Sequence, residues 1–239
     1  MKATLYTIEC ISNLHVGSGQ DNDGVIDGLI QRDVVTDLPC INASSLKGAL
    51  REHCEKWNKA HNEDAEKVNV VKLFGKKVSG EENCEAGEYR FLDASILSIP
   101  RPSVTAPFVQ VTCDEVIKEL QGKASLFGVG LGDNERETVL RLADVLETNE
   151  CSYEDFKKYS DELPVIARNC LENGVSKNLW YEQVLPRKSR LAFFILHDDG
   201  EINEVIEAFE AFDSAITSVP VQIGANASVG YGICVIKKC

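Results

Sequence analysis

Leu191-Ala192-Phe193-Phe194-Ile195-Leu196, broken by Asp198-Asp199-Gly200, is the stretch from which the architecture of this chain is read. Such an uninterrupted apolar run, closed by a turn signal, predicts a buried strand. Beyond the turn, Ile202, Val205, Phe209, Phe212 and Ile216 recur at helical spacing, so Glu201–Ile216 reads as an amphipathic helix. Two strands, Val219–Ile223 and Ile233–Lys237, then flank the loop Gly224-Ala225-Asn226-Ala227-Ser228-Val229-Gly230-Tyr231-Gly232. The chain therefore finishes β-α-β.

Its start has a matching order. Thr4–Ile11 is β-rich, with Tyr6, Ile8 and Cys10 on one face, and a glycine-dotted loop runs from Gly17 to Gly28. A helix is expected from Ser44 or Ser45 to about His61, with Leu46, Ala49, Leu50, His53 and Trp57 as its apolar stripe. Glu88–Leu97 reads as a further strand, ending at Ile99-Pro100-Arg101-Pro102. The β-loop-α-β start and β-α-β finish predict an α+β fold, an RRM-like (ferredoxin-like) sandwich in a single domain over 1–239. Residues 110–165, with a short helical pattern at Arg136–Glu147, read as an insertion. Val165–Ala167 and Leu179–Val184 read as hairpin arms across the turn-rich Glu172-Asn173-Gly174-Val175-Ser176.

A chain of 239 residues, 44% hydrophobic and 26% charged, has the composition of a soluble globular protein. No apolar run approaches the ~20 residues needed to cross a bilayer, and the opening Met1-Lys2-Ala3-Thr4 is strand-like, so a cytoplasmic protein with no membrane partner is expected. The nine cysteines contain no CxxC pair and fit free thiols in a reducing compartment. A net charge of −13 argues against a stand-alone nucleic-acid binder. The charge is unevenly spread, however. Seven acids and no Lys or Arg lie between Leu191 and Ile236, whereas residues 1–60 hold six basic residues against eight acidic ones. An acidic face turned away from a locally basic groove, shared between neighbouring subunits, reconciles these facts.

Several residues carry two readings each. Gly224–Gly232 is neither a P-loop nor a dinucleotide fingerprint, since it opens no helix; its glycines suit either a tight hairpin turn or close approach to an RNA backbone. Lys47 and Arg51, behind the Ser44-Ser45 helix start, are solvated charges or phosphate ligands. Asp27 is a turn residue or a general base. His15 is a core histidine or a catalytic one. Trp180 and Tyr181 stack on bases or half-bury on a strand.

In order, His15–Gly19, Ile26–Asp33, Ala43–Arg51, Asp93-Ala94-Ser95-Ile96-Leu97, Leu179-Trp180-Tyr181-Glu182 with Leu185-Pro186, and Ile223–Gly232 resemble the motifs of the RAMP superfamily of CRISPR effectors. More narrowly, they are similar to the repeated backbone subunit of the type III-B Cmr complex. The chain departs from that pattern at Gly28, where Leu is common, at Asn42-Ala43 in place of Pro-Gly, and at Ala225 in place of a glycine.

This resemblance implies several copies wrapped along a CRISPR guide RNA together with other type III effector subunits. The hairpin at about 165–184 would be a thumb that displaces one nucleotide per repeat. It implies an RNA-guided endoribonuclease cutting complementary single-stranded target RNA at regular intervals, with Asp27 and His15 catalytic. A divalent metal, Mg²⁺ or Mn²⁺, is implied too, with Asp27 as a ligand. Guide binding would fall to Gly17, Ser18, Ser44, Ser45, Lys47, Arg51 and the loop positions Gly224, Asn226, Gly230 and Gly232, joined by Arg32 and Arg168. Two other readings stand beside it: an inert guide-RNA scaffold, and a stand-alone, metal-independent ribonuclease that processes CRISPR transcripts through histidine.

Overall fold

The computed structural model describes residues 1–19, 25–61, 67–76, 85–198 and 203–239, and of residues 147 and 203–208 the backbone alone. In chain order the elements are β1 (Lys2–Cys10), β2 (Cys40–Ile41), α1 (Ala43–Ala60), α2 (Val70–Phe74), β3 (Arg90–Phe91), β4 (Ala94–Arg101), β5 (Val109–Cys113), α3 (Asp114–Leu126), α4 (Glu135–Ala143), β6 (Glu150–Cys151), α5 (Tyr153–Asp161), β7 (Val165–Glu172), β8 (Val175–Gln183), β9 (Arg190–His197), α6 (Asn203–Thr217), β10 (Val221–Gln222) and β11 (Ile233–Lys238). The fold is α+β, as the sequence predicts.

One sheet organises them, in the order β10-β11-β1-β9-β4-β5-β6. Its centre is the antiparallel series β11-β1-β9-β4, with α1 in the connection from β1 to β4 and α6 in that from β9 to β11. That is the connectivity of a split β-α-β unit. β9 lies in the middle, between β1 and β4, and Leu191–Leu196 are all buried.

Alternation along β9 explains why both faces are apolar. Phe193 stacks on Tyr6 at 5.1 Å between centroids, and the Tyr6 hydroxyl donates to Asp213 of α6. Phe194, on the other face, packs against Phe127 at the end of α3 at 5.4 Å. Residues 109–161 are therefore continuous with the core: β5 pairs with β4, and α3 covers the second face.

Several expected boundaries shift. The strand expected over Glu88–Leu97 is two elements, β3 on β9 and β4 beside it. The strand expected at Val219–Ile223 is only the two-residue β10. Of the stripe expected on α6, Phe209 packs against the core and Phe212 and Ile216 are buried, while Ile202 and the side chain of Val205 lie outside the described residues. Helix α1 begins at Ala43, which places Ser44 and Ser45 inside its first turn; neither is the cap. Asn42 stands at the cap position without a side-chain bond to the helix, and the Asp93 carboxylate instead accepts from Ala43 N–H at 2.6 Å. The chain's own acid thus takes up one of the free N–H groups that an anion would meet there.

Strands β7 and β8 form a separate two-stranded sheet, longer than the arms expected from sequence. Asn173 and Gly174 both take positive φ, 52° and 79°, the geometry of a primed two-residue turn. Most of the hairpin is exposed. Only its root, at Gln183, reaches the core.

Candidate functional site

The root of the hairpin meets the segment that follows β1. Leu14 and Leu185 exchange backbone hydrogen bonds at 2.8 Å, which fixes the register of the two segments. Two residues from Leu185, the Gln183 carbonyl contacts His15 Nδ1 at 2.7 Å. A carbonyl only accepts, so Nδ1 carries the proton and Nε2 is left to exchange protons. His15 is buried at 7% exposure. A β-carbon on Gly17 would stand 3.3 Å from Nε2, and one on Gly28 would stand 3.3 Å from Cε1, so glycine on both sides leaves the ring its space.

Asp27 is held by the same strand. Its Oδ2 accepts from Tyr181 N–H at 2.8 Å, while its own N–H and that of Gly28 donate to the Tyr181 carbonyl at 3.0 and 3.1 Å. Gln183 N–H returns to the Gly28 carbonyl at 2.8 Å. Asp27 is exposed and His15 is not, yet β8 fixes both through residues two apart. The pair combines a solvent-facing carboxylate with an imidazole whose tautomer is set. Asp21 and Asp23, near in sequence, fall outside the described residues.

The glycine loop closes over this junction. β10 pairs with β11 on either side of it, so the segment is a ten-residue hairpin loop, not a tight turn, and it buttresses His15. Ala225 N–H donates to the His15 carbonyl at 2.9 Å, and Gly224 lies with φ +79° where a β-carbon would be 2.4 Å from that carbonyl. Gly232 N–H donates to the Asn13 carbonyl at 2.8 Å, whereas Gly230 borders open space.

Glu182 links loop to hairpin, a role that went unpredicted. Its carboxylate accepts from Trp180 Nε1 at 2.8 Å, Asn226 Nδ2 at 2.9 Å and Arg168 Nη1 at 3.2 Å. The Arg168 guanidinium also lies 5.8 Å from the Trp180 ring centroid and 5.4 Å from that of Tyr231. Gln31 is a second residue missed from sequence. It donates to Ser45 Oγ at 2.9 Å and the Gly17 carbonyl at 3.2 Å, and accepts from Asn42 N–H at 2.8 Å, tying the first turn of α1 to the glycine segment.

The remaining predicted RNA-binding residues divide. Gly17, Ser18, Ser44 and Gly230 are exposed; Ser45 and Asn226 are half-buried within the network; Gly232 is buried. Arg32 is turned inward, donating to the Ser160 carbonyl at 2.7 Å and the Asp37 carbonyl at 2.8 Å, and pairing with Asp161 at 3.3 Å. Arg51 pairs with Glu55 at 3.0 Å along its own helix. Lys47 has no ion pair with any described residue. Among the expected cations it is the one whose charge no described acid compensates.

The model of the RAMP superfamily matches residues 7–235 of the chain. The CRISPR system Cmr endoribonuclease Cmr4 of Pyrococcus furiosus is 31% identical over 237 residues, covering 96% of this chain and 74% of that protein. The CRISPR system Cms endoribonuclease Csm3 of Enterococcus italicus is 35% identical over 81 residues, covering 30% of this chain and 37% of its own length. In fold, the chain is similar to a subunit of a type III-B Cmr-beta complex bound to cognate target RNA, with a TM-score of 0.72 at 21% identity over 100% of this chain and 97% of that one. It is equally similar to oligomeric Cmr4 from Pyrococcus furiosus, with a TM-score of 0.72 at 21% identity over 100% and 99%.

Proposed function

The chain belongs to the RAMP superfamily, and on that premise we propose that it is a repeated backbone subunit of a cytoplasmic type III CRISPR ribonucleoprotein, lying along guide RNA and cutting complementary single-stranded target RNA at regular intervals. The observation that carries the reading is the common anchoring of Asp27 and His15 on β8. The hairpin β7–β8 is the proposed thumb. If it displaces a nucleotide of the target, the unstacked ribose comes to rest beside its root.

Cleavage then needs the ribose 2′-oxygen to attack the adjacent phosphorus while the 5′-oxygen of the next nucleotide leaves. Asp27 accepts the 2′-hydroxyl proton through the oxygen that Tyr181 leaves free. His15, in its imidazolium form, gives the Nε2 proton to the leaving oxygen. Guide contacts fall to Lys47, the exposed Ser44 in the first turn of α1 and the glycine-loop backbone, which touch phosphate and carry no sequence preference. Arg32, Arg51 and Arg168 join only by exchanging their present partners.

A resident metal does not fit the described donor set. No three His, Cys, Asp or Glu side chains converge among the described residues, and Tyr181 already occupies one Asp27 oxygen. Asp27 and His15 carry both proton transfers. The proposed dependence on Mg²⁺ or Mn²⁺ takes the form of an ion carried mainly by RNA oxygens and water, and EDTA tests it: cleavage that survives chelation removes the metal from the proposal. The decisive experiment is Asp27→Asn in the assembled complex. Target binding should persist and regularly spaced cuts should vanish; unchanged cutting would leave the chain a guide scaffold.

A further inference from the structure

Two thiols of the main sheet face each other. Cys10, the last residue of β1, stands directly opposite Cys234 of β11 in the antiparallel register. Cys10 N–H donates to the Ser189 carbonyl and the Cys10 carbonyl accepts from Lys188 N–H, so both of its backbone groups point towards β9. The next residue, Ile11, bonds instead to the Ile233 carbonyl of β11. Cys10 and Cys234 are therefore a non-hydrogen-bonded pair, the type in which α-carbons approach to about 4.5 Å and side chains are closest. That spacing lies within the roughly 4.4–6.8 Å that a disulfide spans.

Both side chains are completely buried. The neighbouring Cys234 thiol, together with burial, holds the Cys10 thiol well above its ordinary pKa. A single buried cysteine needs no explanation, since free Cys packs as a small hydrophobe. Two facing each other at a non-hydrogen-bonded pair are a different matter. Among the described residues a second in-register pair, Cys113 and Cys151 on β5 and β6, lacks this arrangement: the Cys151 thiol is turned to the Thr112 carbonyl at 3.3 Å.

We propose that Cys10 and Cys234 form a reversible cross-strand disulfide, a redox staple joining the two ends of the chain at the foot of the His15 junction. The oxidant is a small two-electron peroxide. The thiolate of one cysteine attacks the peroxide oxygen to give a sulfenic acid and hydroxide; the second thiol then attacks that sulfur and expels water. The balance is two thiols and one hydrogen peroxide to one disulfide and two waters. A dithiol restores both thiols by exchange. Because both thiols are buried, the staple closes slowly, through opening of the β10–β11 edge. Once formed, it encloses nearly the whole chain, the situation in which a cross-link restricts the unfolded state most. It also fixes the strand ends that carry Asn13 and Gly232, whose backbones bond to each other.

The test uses the full chain as purified under reducing conditions. It is treated with hydrogen peroxide, blocked with an alkylating agent in denaturant, and digested for mass spectrometry without reduction. The expected result is a Cys10–Cys234 linked peptide that disappears with dithiothreitol, and a melting temperature raised by roughly 5–15 °C in the oxidised monomer. Cys10→Ala and Cys234→Ala, checked for folding by circular dichroism under reducing conditions, should each abolish that rise. Recovery of both cysteines alkylated after exhaustive oxidation would overturn the inference. So would a linked peptide with no change in melting temperature, or oxidation confined to the exposed Cys170 and Cys239. None of these readouts involves RNA, so they stand apart from the nuclease reading.

Discussion

The Asp27 carboxylate accepts a hydrogen bond from the Tyr181 backbone N–H at 2.8 Å. The proposed base is thereby bound to the hairpin that would deliver the substrate. Because Tyr181 contributes only its backbone, the contact survives any change of its side chain and depends on the position of β8.

Asp27→Asn and Asp27→Ala should therefore part company. Asparagine keeps an oxygen for the Tyr181 N–H, so thermal stability should stay within about 0.5 kcal/mol while cleavage falls by roughly 10²–10⁴. Alanine should lose the same activity and cost about 1 kcal/mol besides. Equal melting temperatures for the two variants would show that the contact does not hold the hairpin.

Glu182→Ala leaves Arg168 and Asn226 without their shared acceptor at a half-buried site. A loss of about 1–3 kcal/mol is expected in denaturant unfolding. Cleavage should weaken as the hairpin root loosens, and Glu182→Gln, which still accepts hydrogen bonds, should recover part of both.

Gly224 and Gly230 share a left-handed backbone, φ +79° and +82°, in different surroundings. Alanine at Gly230 meets nothing within 4 Å and should cost about 1 kcal/mol, the backbone penalty alone. Alanine at Gly224 would press on the His15 carbonyl at 2.4 Å, and should cost more than about 2 kcal/mol and disturb His15. Similar melting temperatures for the two variants would refute the packing role of Gly224.

The cations should sort by partner. Lys47→Ala should weaken guide retention whatever the spacer and lower the salt slope by about 1, with little effect on folding. Arg32→Ala should instead destabilise the isolated subunit by about 1–3 kcal/mol, because its guanidinium joins the 33–37 turn to α5. Filter binding and thermal melts of both variants check this.

Stability should fall in acid. Burial alone would push the Glu9 carboxyl up, but the hydrogen bond from Lys188 and the charge of Arg190 prevail and hold it below its ordinary value. Asp33 is similarly placed, with burial outweighed by bonds from the Thr36 and Val35 N–H groups. A carboxyl with a lower pKa folded than unfolded stabilises above its unfolded value, about pH 4, and loses that contribution as pH falls through the folded one. Melting temperature should therefore drop below about pH 4, and Glu9→Gln should flatten the drop.

What the sequence determined by itself was local. The run Leu191–Leu196, the helical spacing after it and the stripe on α1 express periodicities of 2 and 3.6, which any reader of the chain can count. The hairpin is longer than its sequence pattern predicts because its exposed arms carry no apolar alternation, although Asn173-Gly174 marks its turn. Arg51–Glu55 was also within reach, being a pair four apart on one helix.

Only the tertiary structure decided the partners. Asp93 occupies the start of α1 from 50 residues away, Arg32 turns to Asp161, and Glu182 reaches Asn226. It also brought the chain ends together, placing Cys10 against Cys234 and holding His15 and Asp27 against one strand of the hairpin. The physical reason is that secondary structure follows from neighbours along the chain. A polar group finds its partner in space, and that choice exists only once the sheet has fixed its strand order and register.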